Sequence, residues 1–145
     1  GAHYGRYLRA FFHPVQTFIE ENATDPTMED YVMNLAKAFG RLQQAVGAIA
    51  QKGMSNPDEA GAAATDLLRL LGYVALGYLW ARMAKIALAK QNDDPTGFYK
   101  SKIKTANFYM AKMLPHTGAL LSSILAGGKS IMDIDDELFD VAFAA

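Results

Sequence analysis

The sequence predicts an all-α fold, an antiparallel four-helix bundle of long helices closed by a short acidic amphipathic C-terminal segment. Three observations lead there. Apolar residues recur at steps of three and four over most of the 145 residues, the period of one helical face. Capping residues and prolines punctuate those runs where helices start and stop. A composition of 51% hydrophobic residues with a mean hydropathy of +0.01 suits a single folded domain and is too apolar for a disordered chain.

The first helix is expected from about Ala2 to Asn22, where Tyr4, Leu8, Phe11, Val15 and Phe18 share a face that Tyr7 and Ile19 widen. Pro14 has no amide donor and collides with the preceding turn, so the pattern predicts either a kink near His13 or a helix that begins at the proline. Asn22 to Pro26 reads as a turn. Thr27, followed three residues later by Asp30, is placed to cap a second helix, with Glu29 favourable at its positive end. Tyr31, Leu35, Phe39, Leu42, Val46 and Ile49 then carry the stripe as far as Gln51, and Gly53 helps end it.

Asn56-Pro57-Asp58-Glu59 is the clearest start signal: a cap, a proline in the first turn and a glutamate three residues past the cap. It opens a third helix running to about Lys90. Leu67, Leu71, Val74, Tyr78 and Ala81 mark one face, while Leu68, Leu76, Leu79, Met83 and Ile86 extend the apolar surface round the helix. Such a helix is expected to touch both its own bundle and a second surface. Small residues at Gly61, Ala64, Gly72, Ala75 and Ala81 are candidates for close backbone approach, and Gly72 or Gly77 for a bend.

Asn92-Asp93-Asp94-Pro95 repeats the cap-and-proline logic and is expected to open helix four, whose stripe runs through Phe98, Ile103, Ala106, Met110, Met113, Thr117, Leu121 and Ile124. Pro115 either bends this helix or divides it in two, and Gly127-Gly128 ends it. Residues 129–145 carry a local charge of −4, yet Ile131, Ile134, Leu138 and Val141 keep helical spacing. That tail is expected to pack on the bundle as a short amphipathic helix or hook.

Charge and motif content narrow the chemistry. With 14 bases against 15 acids the chain carries no general attraction for nucleic acid or anionic lipid. The absence of cysteine removes disulfide and thiol chemistry, and together with the lack of an early signal segment it points to a cytoplasmic setting. Leu67–Ala89 approaches membrane-spanning length, but Arg69, Arg82 and Lys85 within it favour a buried bundle helix over a span. His3, His13 and His116 form no metal-ligand spacing, and the acidic pairs sit at helix ends, where capping explains them. Gly127-Gly128-Lys129-Ser130 lacks the earlier glycine and the strand of a phosphate loop. Met83, Met110 and Met113 fall on core stripes and read as packing rather than a ligand groove. Lys100, Lys102, Lys104 and Lys112 are the only basic concentration, with Lys100 and Lys104 on one face and Lys102 nearly opposite; a solvated helix surface is the simpler reading. No residue is therefore assigned as catalytic, cofactor-binding or metal-ligating.

Three segments have a more specific character: Tyr31-Val-Met-Asn-Leu-Ala-Lys-Ala-Phe-Gly-Arg-Leu, the run Leu67–Ala84, and Phe108-Tyr-Met-Ala-Lys-Met-Leu-Pro. In this order they resemble the extra C-terminal domain of larger acyl-CoA dehydrogenases, most closely the branch that includes 3-methylmercaptopropionyl-CoA dehydrogenase, from about His3 to Phe139. The resemblance implies that residues 1–145 are one accessory domain of a longer, FAD-dependent, homo-oligomeric enzyme. That enzyme removes hydrogens from the α and β carbons of an acyl-CoA, and its flavin site and catalytic carboxylate lie outside this segment. The domain itself then needs no cofactor, and its partners are the remaining domains of the enzyme. Arg82, Lys100, Lys104 and His116 are weak candidates for contact with substrate or partner. An independent helical protein-interaction module is the other reading, and a catalyst in its own right ranks third.

Overall fold

The computed structural model describes the backbone of residues 2–52 and 57–127, with side chains from 5 to 51 and from 57 to 127. Alanine-rich, proline-poor runs with apolar residues every three to four positions form helices: α1 (Ala2–Asn22), α2 (Glu29–Lys52), α3 (Pro57–Lys90), α4 (Phe98–Phe108) and α5 (His116–Ala126). The last two, joined through one π-helical turn at Tyr109–Met113, make up the fourth helical pattern of the bundle. At about 1.5 Å per residue α3 is roughly 50 Å long, the longest of the described helices.

α3 is the common partner: α2, α4 and α5 all pack against it, while α5 also packs on α2, and α1 lies chiefly on α2. The core where they meet is built from Leu35 and Leu42 of α2, Leu70 and Val74 of α3, Ile124 of α5 and Val15 of α1, each essentially closed to solvent. Two edge-to-face ring pairs hold α1 in place, Phe12 on Phe39 at 5.3 Å and Phe18 on Tyr78 at 5.7 Å. Gly77 is the point of closest approach. A Cβ there would stand 3.0 Å from a Leu114 methyl carbon and 3.6 Å from one of Leu35, so the missing side chain brings α3 against both neighbours.

Several sequence expectations change in detail. Pro14 neither ends α1 nor begins it; the helix runs through it, and Pro14 and Ala10 are both exposed, which leaves the carbonyl freed by the missing amide on the solvent side. Asp25 rather than Thr27 provides the capping acceptor ahead of α2: its carboxylate accepts from the Thr27 amide at 2.9 Å and the Thr27 hydroxyl at 2.7 Å, and a single 3-10 turn, Pro26–Met28, leads into the helix. The fourth pattern opens at Phe98 instead of just after Asn92. Gln91–Asp93 continue α3 as a 3-10 turn, and Gly97, at φ +79°, takes a left-handed conformation that favours glycine. Asp94 accepts from the amides of Thr96 and Tyr99, at 3.0 and 3.2 Å, across the start of α4. Of the small residues on α3, Gly61 and Gly72 face open space, whereas Ala63, Gly77, Ala81, Ala84 and Ala87 are the buried ones. The expected cap at Asn56, the stop at Gly53 and the packing of residues 129–145 lie outside the described residues.

Pro115 divides the fourth pattern. The chain widens into the π turn before it, and the Leu114 amide donates to the Tyr109 carbonyl at 2.9 Å, a five-residue reach in place of four. Met110, Leu114 and Thr117 stay buried across the break, so the extra residue is absorbed without turning the stripe away from the core. The helix ends at Gly127, φ 72°, whose amide is shared by the carbonyls of Ser123 and Ile124.

This packing predicts a sharp contrast between adjacent faces of α3. Leu70→Ala should lower the unfolding free energy by about 2–5 kcal/mol, as for other closed core leucines, whereas Leu68→Ala should change it by less than about 1 kcal/mol. Urea denaturation of both variants checks this; equal losses would contradict the placement of the core.

Candidate interaction site

The side chains that α3 leaves outside the core form a line. Leu68, Leu76, Leu79 and Ile86 are 69%, 50%, 52% and 47% exposed, and with Gly72 and Met83 they follow steps of four and three along one flank. Leu68 also borders a groove of about 510 Å³ at the α2–α3 end of the bundle, lined by Ile49, Ala60, Ala63, Ala64, Leu67 and Leu71. Stripe and groove are thus continuous. Leu67 to Lys90 contains four bases, Arg69, Arg82, Lys85 and Lys90, and no acid, so the rim of this apolar surface is cationic.

A second surface lies on α4. Lys90 sits over the Tyr99 ring at 5.7 Å and Lys102 over the Phe98 ring at 5.1 Å, while Phe98 and Tyr99 meet edge to face at 5.2 Å. Such cation–ring contacts at exposed sites are worth about 0.5–1 kcal/mol each. They turn two of the lysines towards neighbouring rings. Lys100 and Lys104 are exposed on the same helix.

The four candidate contact residues are not gathered into one site. Arg82 lies over the Tyr78 ring at 5.4 Å and borders a groove of about 340 Å³ between α1 and α3 with His13, Phe18 and Glu21. Neither lysine nor His116 lines that groove. His116 is exposed and stacked on Tyr73 at 5.7 Å, with the rings inclined by 20°, a packing role beside the Pro115 break.

Ser123 of α5 donates to Asp66 of α3 at 2.8 Å, and the other side-chain hydrogen bonds described between helices cluster around the π turn. The Tyr109 hydroxyl donates to the Tyr73 carbonyl at 2.5 Å, the Tyr31 hydroxyl donates to Asn107, and Arg41 donates to Thr117 at 3.0 Å while Thr117 donates to the Leu114 carbonyl at 2.7 Å. Burial raises the ionisation of Tyr109 to about 12 and also pushes Tyr31 up, with nearby Asp30 adding to the latter. These side chains lock α2, α3 and the π turn together. From the sequence Tyr31 and Thr117 are expected on apolar stripes, and Asn107 and Tyr109 as polar contacts beside the α4 lysines; the bonds between helices are not among these expectations, and the available signal is polar groups on or beside otherwise apolar stripes.

A dinucleotide needs donors for its pyrophosphate and ring atoms, and the described lining of the α2–α3 groove is leucine, isoleucine and alanine. Among the described residues no group of three or more His, Asp or Glu side chains is placed to hold a metal ion.

Comparison with known proteins accounts for a helical domain of this kind. A family model described as Acetyl-CoA dehydrogenase C-terminal like matches residues 11–135. The chain belongs to this family. Two relatives agree. A broad-specificity linear acyl-CoA dehydrogenase, FadE5, of Mycobacterium tuberculosis is 25% identical over 135 residues, covering 86% of this chain and 22% of that protein. A butyryl-CoA dehydrogenase of Syntrophomonas wolfei is 28% identical over 120 residues, covering 79% of this chain and 20% of that protein. The chain therefore spans about a fifth of the length of the curated relatives it matches.

Within this acyl-CoA dehydrogenase C-terminal domain the polar lock predicts an alkaline signature. A tyrosine whose folded ionisation is raised stabilises the fold fully below the unfolded value near 10 and loses that contribution as pH climbs through about 12. Stability should accordingly fall between pH 10 and 12. Tyr109→Phe should flatten its share of that fall while costing about 0.5–1.5 kcal/mol at neutral pH. Urea midpoints recorded across that range decide it, and an unchanged slope in the variant would remove Tyr109 from the account.

Proposed function

We propose that this domain is the helical support of an FAD-dependent acyl-CoA dehydrogenase that carries out α,β-dehydrogenation of acyl-CoA thioesters, with the reaction centre in the rest of the enzyme. The observation that carries the reading is the family match over residues 11–135 joined to the length of the relatives, of which this chain spans about a fifth. An apolar, cation-rimmed face on α3 supports it, since a helix apolar on more than its core side is suited to a second contact. The chain's residues contribute rigidity and a docking surface rather than proton or hydride transfer. The likeness of Tyr31–Leu42, Leu67–Ala84 and Phe108–Pro115 to the 3-methylmercaptopropionyl-CoA dehydrogenase branch supports that branch as the setting of the domain; turnover across an acyl-CoA panel tests that choice. A cytoplasmic homo-oligomer completes the proposal.

The stretch Pro57–Asp93 is long and apolar enough, by length and composition, to cross a membrane. Its contacts with α2, α4 and α5 and its three central cations support the bundle reading instead. The exposed leucines of α3 also suit a second reading, an independent helical module that binds another protein. The encoding reading frame separates the two, because only the first requires an upstream flavoprotein region.

Comparing the full-length enzyme with a form lacking this domain tests the main reading. The shortened enzyme should lose at least about tenfold in turnover, equivalent to about 1.4 kcal/mol of transition-state stabilisation, or melt at a measurably lower temperature than the full-length form. Flavin absorbance should remain with the body and be absent from the separate domain. Unchanged turnover and melting after the deletion would defeat the proposal. In the same enzyme Lys100→Glu with Lys104→Glu should raise the KM for acyl-CoA about threefold or more at constant kcat if these lysines meet the CoA phosphates, as loss of uniform binding does; an unchanged KM assigns them to the solvated surface.

A further inference from the structure

The outer flank of α3 is an apolar feature that the described bundle itself does not use. From Leu68 to Ile86 it extends 18 residues, about 27 Å at the helical rise. Each of Leu68, Leu76, Leu79 and Ile86 is about half or more exposed, on a helix whose opposite side is closed to solvent at Leu70, Val74 and Ala81. Isolated surface leucines are ordinary, but four in one line on a single helix form a contiguous patch of the kind that marks an interface.

We propose that this flank is the seam by which the domain docks on the catalytic body of the longer enzyme, an inference that rests on the support role proposed above. Length selects that occupant: about four fifths of each relative lies outside the matched region, so a chain several times the size of this domain is available to cover the seam. Residues 129–145 are the competing occupant within the chain, and the test below separates the two. The rim adds a specificity rule. With Arg69 and Arg82 beside the leucines and no acid between Leu67 and Lys90, the facing surface of the body should be apolar at its centre and carry carboxylates or helix C-terminal carbonyls at its edge.

The test uses the full-length, flavin-bound enzyme. Calorimetry would compare the wild type, the domain-deleted enzyme, Leu76→Glu with Leu79→Glu, the milder Leu76→Ala with Leu79→Ala, and Phe108→Glu on α4 as a control at another exposed apolar position. The glutamate pair should separate the melting of domain and body and move the body towards the melting temperature of the deleted form. The alanine pair should do the same to a smaller extent, with helix content by circular dichroism unchanged in both, and the control should melt as wild type. If deletion itself leaves the body unaltered, the support role fails. If deletion matters but both leucine pairs melt as wild type, or the control uncouples the domain equally, the support role stands and the seam assignment is overturned. A glutamate pair that lowers the mass by light scattering, or abolishes sedimentation with phosphatidylglycerol vesicles, while coupling to the body persists, would give the flank to a second copy or to a membrane and overturn it as well. Tighter coupling on removal of residues 128–145 fits the seam; exposure of the stripe to covalent labelling only after that removal would assign it to the tail instead.

Discussion

α2, α4 and α5 are all referred to α3, and α3 can serve that role because the inward side of its C-terminal half carries little bulk. Gly77, Ala81, Ala84 and Ala87 let neighbouring helices approach its backbone, while Leu67, Leu70 and Val74 fill the wider end where α2 and α5 meet it. The tight point is Gly77, where methyl carbons of Leu114 and Leu35 occupy the space a side chain would take. Leu114 belongs to the break before Pro115, so the closest packing of α3 and the most irregular backbone of the bundle meet at one place. The break brings α4 and α5 onto the same helix from one chain segment.

The polar lock sits at that same place, and its placement follows from the backbone. A π turn widens the helix and redirects the residues after it, so its orientation has to be fixed by something more directional than apolar contact. Tyr109 bonded to the Tyr73 carbonyl, Tyr31 to Asn107 and Arg41 to Thr117 provide those directions from α2 and α3. Among the described side chains no buried nitrogen or oxygen is left without a partner, which keeps the cost of placing polar groups there low. Apolar burial explains why these helices associate. The lock explains why they do so in one register.

The helical pattern was legible wherever a strong local signal and the core agreed. Pro57 opens α3 and Lys90 closes it as the periodicity predicts, because both ends combine punctuation with the end of an apolar run. Detail failed where several residues offered the same chemistry. Asn92, Asp93 and Asp94 are all competent caps, and only the turn through Gly97 selects Asp94 and moves the start of α4 to Phe98. Gly61, Gly72 and Gly77 are identical letters in one helix, yet a neighbour presses on Gly77 alone, which is a property of Leu114 and Leu35 rather than of glycine. The stripe of Leu68, Leu76, Leu79 and Ile86 could be read as surplus apolar surface, since α3 has more of it than one core needs. Arg82, His116 and the Lys100–Lys104 pair gave no comparable pattern, and the fold does not gather the three into one site.

That surplus is difficult to explain as a property of a free domain. Exposed leucines contribute little to the stability of a helix that is already packed on its other side, and they favour nonspecific association. A polar residue at Leu76 or Leu79 would keep helix propensity almost unchanged and would improve solubility. The leucines therefore make physical sense when burial elsewhere repays them, at about 25 cal/mol for each Å² of apolar surface covered. The cations beside them then act differently. Arg69, Arg82 and Lys85 carry long apolar stems that can lie along a covering surface while their charges remain in water at its edge. An apolar centre bordered on its own helix by cations combines adhesion with orientation, because a partner edge bearing the same charge would be disfavoured beside the leucines.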